Sequence, residues 1–292
     1  MDKDALKQFV NDNPKLVSMR PAGDGIFVLK YKKAVFFDNL WNDFLEECRG
    51  TIVDEDFNIV SRPFTKIYNY GVEAKAPKLS DNTEITALRK VNGFMVAMTW
   101  HNGDILVSTT GSTDSDYVNM AKEYINDSFR SVLSCAPDFT FMFECVHPND
   151  PHIIPEEAGL YFIGFRVKAW DGKLYYQRHT LEPLGKELGC RPVEIFCTTV
   201  GELVALSKTV KHEGFVFYTE DGVSAKIKSP HYLVSKFVAR NPRTDKLMRK
   251  DVKQSMDEEY YPLIDAIQAD IVKYTELSEQ DRLAWVRNFL EH

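Results

Sequence analysis

The sequence predicts an α+β protein in which antiparallel sheets are flanked by helices, followed by a small all-α C-terminal domain. Three observations carry this expectation. Apolar runs with strand-like patterning close on turn signals at His101-Asn102-Gly103-Asp104, Asp171-Gly172 and Glu220-Asp221-Gly222, as antiparallel hairpins do. Segments with apolar residues three or four apart interrupt them, as amphipathic helices do. After Lys228 the strand patterning stops and helical spacing prevails.

Taken in order, residues 2–10 and 38–48 have helical spacing, and 26–31 and 34–37 read as a short strand pair. From 51 to 100 the pattern is short strands broken by polar turns. Residues 91–100 and 105–109 read as a hairpin, with Lys90 at the start of its first strand. A helix is expected over 116–134, strands over 139–146, 160–170 and 174–176, and helices over 181–188 and 200–206. Residues 214–218 and 223–227 form a last hairpin. Pro230-His231-Tyr232 opens the helical tail, in which Ser278-Glu279-Gln280-Asp281 has the form of a capping box ahead of Leu283, Val286 and Leu290. The expected domains are therefore 1–230 and 231–292.

A chain of 292 residues holds one large domain with a small appendage. No apolar run approaches the roughly 18 residues of a membrane span, and Met1-Asp2-Lys3-Asp4 is too polar for a secretory signal. The five cysteines (Cys48, Cys135, Cys145, Cys190, Cys197) are odd in number and lack C-x-x-C spacing. That argues against zinc and against a disulfide framework, and points to a reducing cytoplasm. The net charge of -7 would disfavour a nucleic-acid partner, yet residues 226–253 carry nine Lys/Arg against Asp245 and Asp251. Such a run is either a phosphate-binding surface or, more commonly, a solvated helix face.

Five short segments carry the chemistry. They are Lys90-Val91-Asn92-Gly93-Phe94, Phe141-Met142-Phe143-Glu144, Phe162-Ile163-Gly164-Phe165-Arg166, Glu213-Gly214-Phe215-Val216 and Lys226-Ile227-Lys228. Each alone is an ordinary surface or core feature. In this order they read as a site where a lysine attacks a nucleoside triphosphate. A nucleophilic lysine must be neutral, and nearby cations favour that form. Lys226 and Lys228, two apart on a strand, share a face and would supply them. Glu144 and Glu213, acidic residues beside apolar strands, suit a metal ion, a ribose hydroxyl or an internal cation such as Arg166. Arg49 by its planar fork and Lys66 as a point charge suit a departing pyrophosphate. Phe165 is either a base-stacking ring or a core aromatic. His147, His152 and His212 have no ligand spacing and read as structural or exposed residues.

Through these segments the chain resembles the covalent nucleotidyltransferases, which include RNA ligases, DNA ligases and mRNA capping enzymes. It is most similar to the phage T4 RNA ligase 1 type over roughly residues 30–235. Cys48-Arg49-Gly50, Ser61-Arg62-Pro63 and Lys66-Ile67-Tyr68-Asn69 extend the likeness upstream. Phe143-Glu144-Cys145-Val146-His147-Pro148-Asn149 and Ala225-Lys226-Ile227-Lys228-Ser229 extend it downstream. The resemblance implies a nucleotidyltransferase (ligase adenylation) domain. It also implies that Lys90 attacks ATP to form a lysyl-AMP, which adenylates a 5′-phosphate RNA end that a 3′-hydroxyl then seals. By motif position, Gly93, Glu144, Phe165, Arg166, Lys226 and Lys228 contact the nucleotide. Glu213, with Glu144 as a second candidate, meets magnesium or manganese, and Arg49 and Lys66 hold the outer phosphates.

Two positions depart from the pattern. Asn92 stands where the family usually has Asp, and Thr110 stands where a lysine is expected before Gly111. The 64 residues after Lys228 are brief and helical, unlike the barrel domain that DNA ligases and capping enzymes add there. The expected partner is single-stranded RNA or a cleaved tRNA loop in RNA repair, in host cytoplasm for a phage protein, with no membrane. No G-x-x-x-x-G-K-[ST] motif is present, so a separate kinase or phosphatase would prepare the ends. The alternatives are a DNA ligase or end-adenylating enzyme acting on single strands, a protein AMP-transferase, and a non-catalytic RNA-binding module.

Overall fold

The computed structural model describes the backbone at residues 1–240, 247, 249, 251–256 and 258–291. The strands are β1 (Val17–Pro21), β2 (Ile26–Tyr31), β3 (Arg49–Asp54), β4 (Ile59–Ser61), β5 (Tyr68–Asn69), β6 (Glu84–Lys90) and β7 (Phe94–His101), then β8 (Asp104–Ser108), β9 (Phe139–Val146), β10 (Gly159–Val167), β11 (Leu174–Tyr175), β12 (Ile195–Thr199), β13 (Gly214–Tyr218) and β14 (Ser224–Lys228). Two compact units result. The first holds Met1–Ile67, Gly93–His152 and Glu156–Ile195; the second holds Tyr68–Asn92, Ile153–Pro155 and Phe196–His292.

The first unit contains a four-stranded sheet, β1-β2-β3-β4, and a five-stranded sheet, β11-β10-β9-β7-β8. Every strand pairing in both is antiparallel. Ile26, Val28, Ile52 and Val60 form the core beneath the smaller sheet. The β7–β8 hairpin turns on Asn102 and Gly103, both at positive φ, as a two-residue primed turn requires. β1, at the sheet edge, ends in Pro21, where a missing N–H is tolerated. Buried Arg62 and Glu47 form a forked ion pair. It ties the Cys48-Arg49-Gly50 and Ser61-Arg62-Pro63 segments together from beneath.

The second unit is built on the sheet β12-β6-β13-β14-β5. Val200 and Leu203 of the helix Val200–Ser207 pack on Ile85, Ala87, Phe215 and Phe217 of that sheet. Thr199 and Glu202 close a capping box at the start of this helix, which satisfies its first amides. The helices Pro230–Arg240, Tyr261–Ala269, Ile271–Glu276 and Glu279–Glu291 follow. They share a core of Phe237, Tyr260, Leu263, Ile264, Ile267 and Val286. Asp281 N–H donates to Ser278 Oγ (3.2 Å) at the start of the last helix. Arg243, Lys246 and Lys250 of the basic run, and the Leu283 side chain, lie outside the described residues.

The α+β class with a helical C-terminal segment is as the sequence predicts. Three local readings change, and two strands went unread. Residues 33–37 form a one-turn helix rather than a strand, because the chain crosses from β2 to β3 on two short helices that bury Val35 and Leu45. The expected helix over 116–134 is two, Asp116–Lys122 and Asp127–Cys135, because Asn126 caps the second by accepting from Ser128 N–H (2.9 Å). Lys90 ends β6 rather than starting a strand. The edge strands β1 and β12 carry no alternating apolar pattern long enough to be legible.

Candidate active site

β13 lies between β6 and β14 with antiparallel neighbours on both sides. The register pairs Gly214 with Lys90 on one side and with Lys228 on the other. The two lysines therefore sit on one transverse line, with backbones about 10 Å apart across two strand spacings. Gly214 keeps that line open. Its φ is +134°, and a β-carbon there would collide with the Ile227 carbonyl. The residue before it, Glu213, is 3% exposed and fills the gap between the lysines. Its Oε2 accepts from Lys90 Nζ (3.0 Å) and Asn92 Nδ2 (2.8 Å), and its Oε1 lies 4.0 Å from Lys228 Nζ.

Burial, the largest influence, raises the pKa of Glu213. The charges of Lys90 and Lys228 and the hydrogen bonds from Lys90 and Asn92 outweigh it and hold the carboxyl below its usual value. The sequence points to cations beside Lys90; the structure adds an anion between them. Half-buried cations at this spacing favour one between them.

Lys226 shares the face of Lys228 on β14, opposite Val216 of β13 and Asn69 of β5. Lys228 also pairs with Glu259, which accepts from Lys236 too (3.4 Å). Lys228 and Lys236 lie over the ring of buried Tyr232 at 5.4 and 5.5 Å. Ser229 N–H donates to the Glu213 carbonyl (2.9 Å), which fixes the start of the Pro230–Arg240 helix against the Glu213 backbone.

In the first unit, Glu144 on β9 is buried and its Oε1 accepts from Gly93 N–H (3.2 Å). A β-carbon at Gly93 would collide with the Cys145 carbonyl, so the chain needs glycine there to pass close to β9. Phe165 follows a bulge between Phe162 and Gly164. Its ring stacks on Tyr175 (4.7 Å, 5°) and on Phe141 (5.7 Å, 19°). Arg166 donates to the carbonyls of Gly172 (3.2 Å) and Pro63 (3.4 Å). Arg49 lies over the Tyr31 ring at 5.8 Å. Buried Lys66 lies over Trp41 at 4.4 Å. His147, His152 and His212 bond to Glu123, Asp150 and the Gly214 N–H respectively, which are structural roles.

An RNA ligase family model of the T4 type 1 matches residues 47–237, which takes in Arg49, Lys66, Lys90, Glu144, Phe165, Arg166, Glu213, Lys226 and Lys228. The chain belongs to the RNA ligase family. Solved structures of low identity share its nucleotidyltransferase fold. An archaeal ATP-dependent RNA ligase superposes with a TM-score of 0.63 at 14% identity, over 100% of this chain and 78% of that one. A second form of archaeal ATP-dependent RNA ligase gives 0.61 at 13%, over 98% and 74%. A putative ATP-dependent DNA ligase from Aquifex aeolicus gives 0.57 at 16%, over 98% and 77%.

The geometry gives the ligase's Asn92 a function. Its Nδ2 donates to Glu213 while its Oδ1 accepts from Ile154 N–H (3.0 Å). Only an amide serves both at neutral pH. Asn92→Asp would set two buried carboxylates against each other, so one would stay protonated. We expect a stability loss of about 1–3 kcal/mol at pH 7 that shrinks as the pH falls. Urea unfolding at pH 7 and pH 5 measures it.

Glu259 is a residue the sequence did not disclose, because Asp257-Glu258-Glu259 reads as a solvated acidic run. In the structure it is buried. Burial raises its pKa, but Lys228 and Lys236 bring it down from 4.5 to about 2. A carboxyl with a depressed folded pKa adds stability that is complete above its unfolded value. Between pH 4.5 and about 2, the ligase should lose about 3 kcal/mol from this group. Glu259→Gln should flatten that part of the stability–pH curve.

Proposed function

We propose that the ligase joins 5′-phosphate to 3′-hydroxyl ends of RNA in three ATP-driven steps, with Lys90 as the nucleophile. The supporting observation is the line Lys90–Gly214–Lys228 with Glu213 bonded to the Lys90 amine, in a member of this family. In the first step Lys90 Nζ bonds to the α-phosphorus, the α–β anhydride bond breaks and pyrophosphate leaves. Glu213 orients the amine and lies within reach of its proton. Lys226 and Lys228 offset charge on the α-phosphate. Glu144, through its contact with the Gly93 turn, orients the nucleoside. Phe165 and Arg166 contribute to nucleotide binding, and Arg49 and Lys66 hold the outer phosphates. AMP then passes to the 5′-phosphate of RNA, and the 3′-hydroxyl displaces it.

Among the described residues no three His, Cys, Asp or Glu side chains gather into a metal cage. Magnesium, or manganese in its place, is typically held by one or two carboxylates, water and substrate phosphates. Glu213, kept ionised by its neighbours, fits that donor set, with Glu144 as a second candidate. The cation would neutralise phosphate charge and the leaving group.

The proposed division is an adenylyltransferase domain over 1–230 and a helical domain over 231–292; the helices have a core of their own, inside a compact unit that also takes in 68–92 and 196–230. All five cysteines are free, which supports a reducing cytoplasm. Among the described residues no helix is long and apolar enough to cross a membrane. The likeness to phage T4 RNA ligase 1 supports repair of a cleaved tRNA loop in an infected host, with ends prepared by a separate kinase or phosphatase. A chase experiment tests the scheme. Protein labelled by α-labelled ATP should release its label to 5′-phosphorylated RNA and yield longer or circular RNA. Label that passes to protein instead would mark an AMP-transferase. Sealing of DNA in preference to RNA would overturn the substrate assignment.

A further inference from the structure

Arg20 on β1, Lys30 on β2 and Arg49 on β3 lie on three neighbouring strands of the four-stranded sheet. Lys30 pairs with Ser18 on one side and with Arg49 on the other. Arg20, two residues from Ser18, falls on the same face of β1. The β2–β3 register slips between Leu29 and Lys30, leaving Gly50 unpaired as a bulge at φ +99°. A β-carbon at Gly50 would lie 2.8 Å from Thr110 Cα. The bulge therefore lets the 109–111 loop press against the sheet. Lys30 Nζ then lies directly over Gly111, where a β-carbon would collide with it. Arg20 Nη1 donates to the Gly111 carbonyl (3.4 Å).

Arg20 and Lys30 thus meet at one loop, with Arg49 paired beside Lys30 on the next strand, and among the described residues no carboxylate pairs with any of the three. Burial, then Arg20, then Arg49 lower the pKa of Lys30. Like charges held together without a counter-ion oppose folding, and a ligand with several negative oxygens relieves the repulsion.

We propose that Arg20 and Lys30, with Arg49, form the seat for the outer phosphates of the nucleoside triphosphate at Gly111. The inference rests on the ATP-driven reading above and adds two residues to it. Lys30 supplies from β2 the cation that Thr110 does not carry. Arg49 offers a planar fork, and Lys30 a mobile point charge beside it.

Outer phosphates are present only in the first step, and this decides the test. Lys30→Met and Arg20→Gln should each raise KM for ATP in covalent labelling by about tenfold or more. Inhibition by inorganic pyrophosphate should weaken in parallel. Sealing of RNA that already carries a 5′-adenylate should proceed at the wild-type rate. Lys30→Arg should keep KM close to wild type. Unchanged KM and pyrophosphate inhibition in both charge-removing variants would overturn the proposal. So would an equal loss in sealing of pre-adenylated RNA, which would assign the cations to the RNA backbone. Lys30→Arg as impaired as Lys30→Met would mark a packing role and also overturn it. A wild-type protein that takes no label from ATP would instead remove the reading beneath it.

Discussion

Lys90→Ala should leave the ligase without covalent AMP: with Lys90 as the proposed nucleophile, label from α-labelled ATP is expected to fall to background, a loss of more than about a thousandfold. Sealing of pre-adenylated RNA should persist, because in the proposed scheme that step begins after the nucleophile has acted. Lys90→Arg should be as inactive, since a guanidinium keeps the charge but is not a nucleophile at working pH. The fold should survive both changes. Without the Lys90 amine, Glu213 still has Asn92 at 2.8 Å and Lys228 at 4.0 Å. Circular dichroism beside the labelling assay separates lost chemistry from lost structure. Residual labelling of Lys90→Ala would move the nucleophile elsewhere.

Glu213→Ala carries the largest expected cost in stability. The substitution leaves Lys90 and Lys228, whose side chains are 22% and 11% exposed, facing each other across Gly214 with no anion between them. Removing one partner of a buried pair typically costs about 3–5 kcal/mol. The partial exposure of Lys90 places this case near the lower end, at about 3 kcal/mol. Covalent labelling should fall by at least about a hundredfold. Glu213→Gln should fall between, since it keeps a hydrogen-bond acceptor and loses the charge. The sign of the pH dependence follows from the depressed folded pKa. The carboxylate adds stability above its unfolded value, and that stability is lost as the pH falls through the folded one. The wild type should therefore weaken in acid more steeply than Glu213→Gln. Urea unfolding across pH 3–7 reads both effects.

The parts of the site that were legible share a physical cause. Lys90, Glu213 and Lys228 each stand beside a glycine or at a strand end, where apolar alternation breaks and a charged residue becomes conspicuous. The two hairpin turns, marked by Gly103 and Gly222, set which strands neighbour which. The illegible parts depend on contacts distant in sequence. Lys30 reaches Gly111 across 81 positions only because Gly50 forms a bulge. Glu259 reaches Lys228 across 31 positions through the packing of the helical tail. Asn92 looked like a lost charge, and its meaning required the Ile154 amide on one side and Glu213 on the other. The helix at 33–37 was hidden because Val35, Phe36 and Phe37 are strand-favouring residues, and connection geometry overrode that preference.

The most direct test of the account is the position of the adduct. The ligase would be incubated with ATP and magnesium, digested, and its peptides mapped by mass spectrometry under conditions that preserve a phosphorus–nitrogen bond. The account predicts AMP on the Lys90 side chain, released by acid and discharged by 5′-phosphorylated RNA before digestion. AMP on another residue, or no adduct under conditions where RNA is joined, would contradict it.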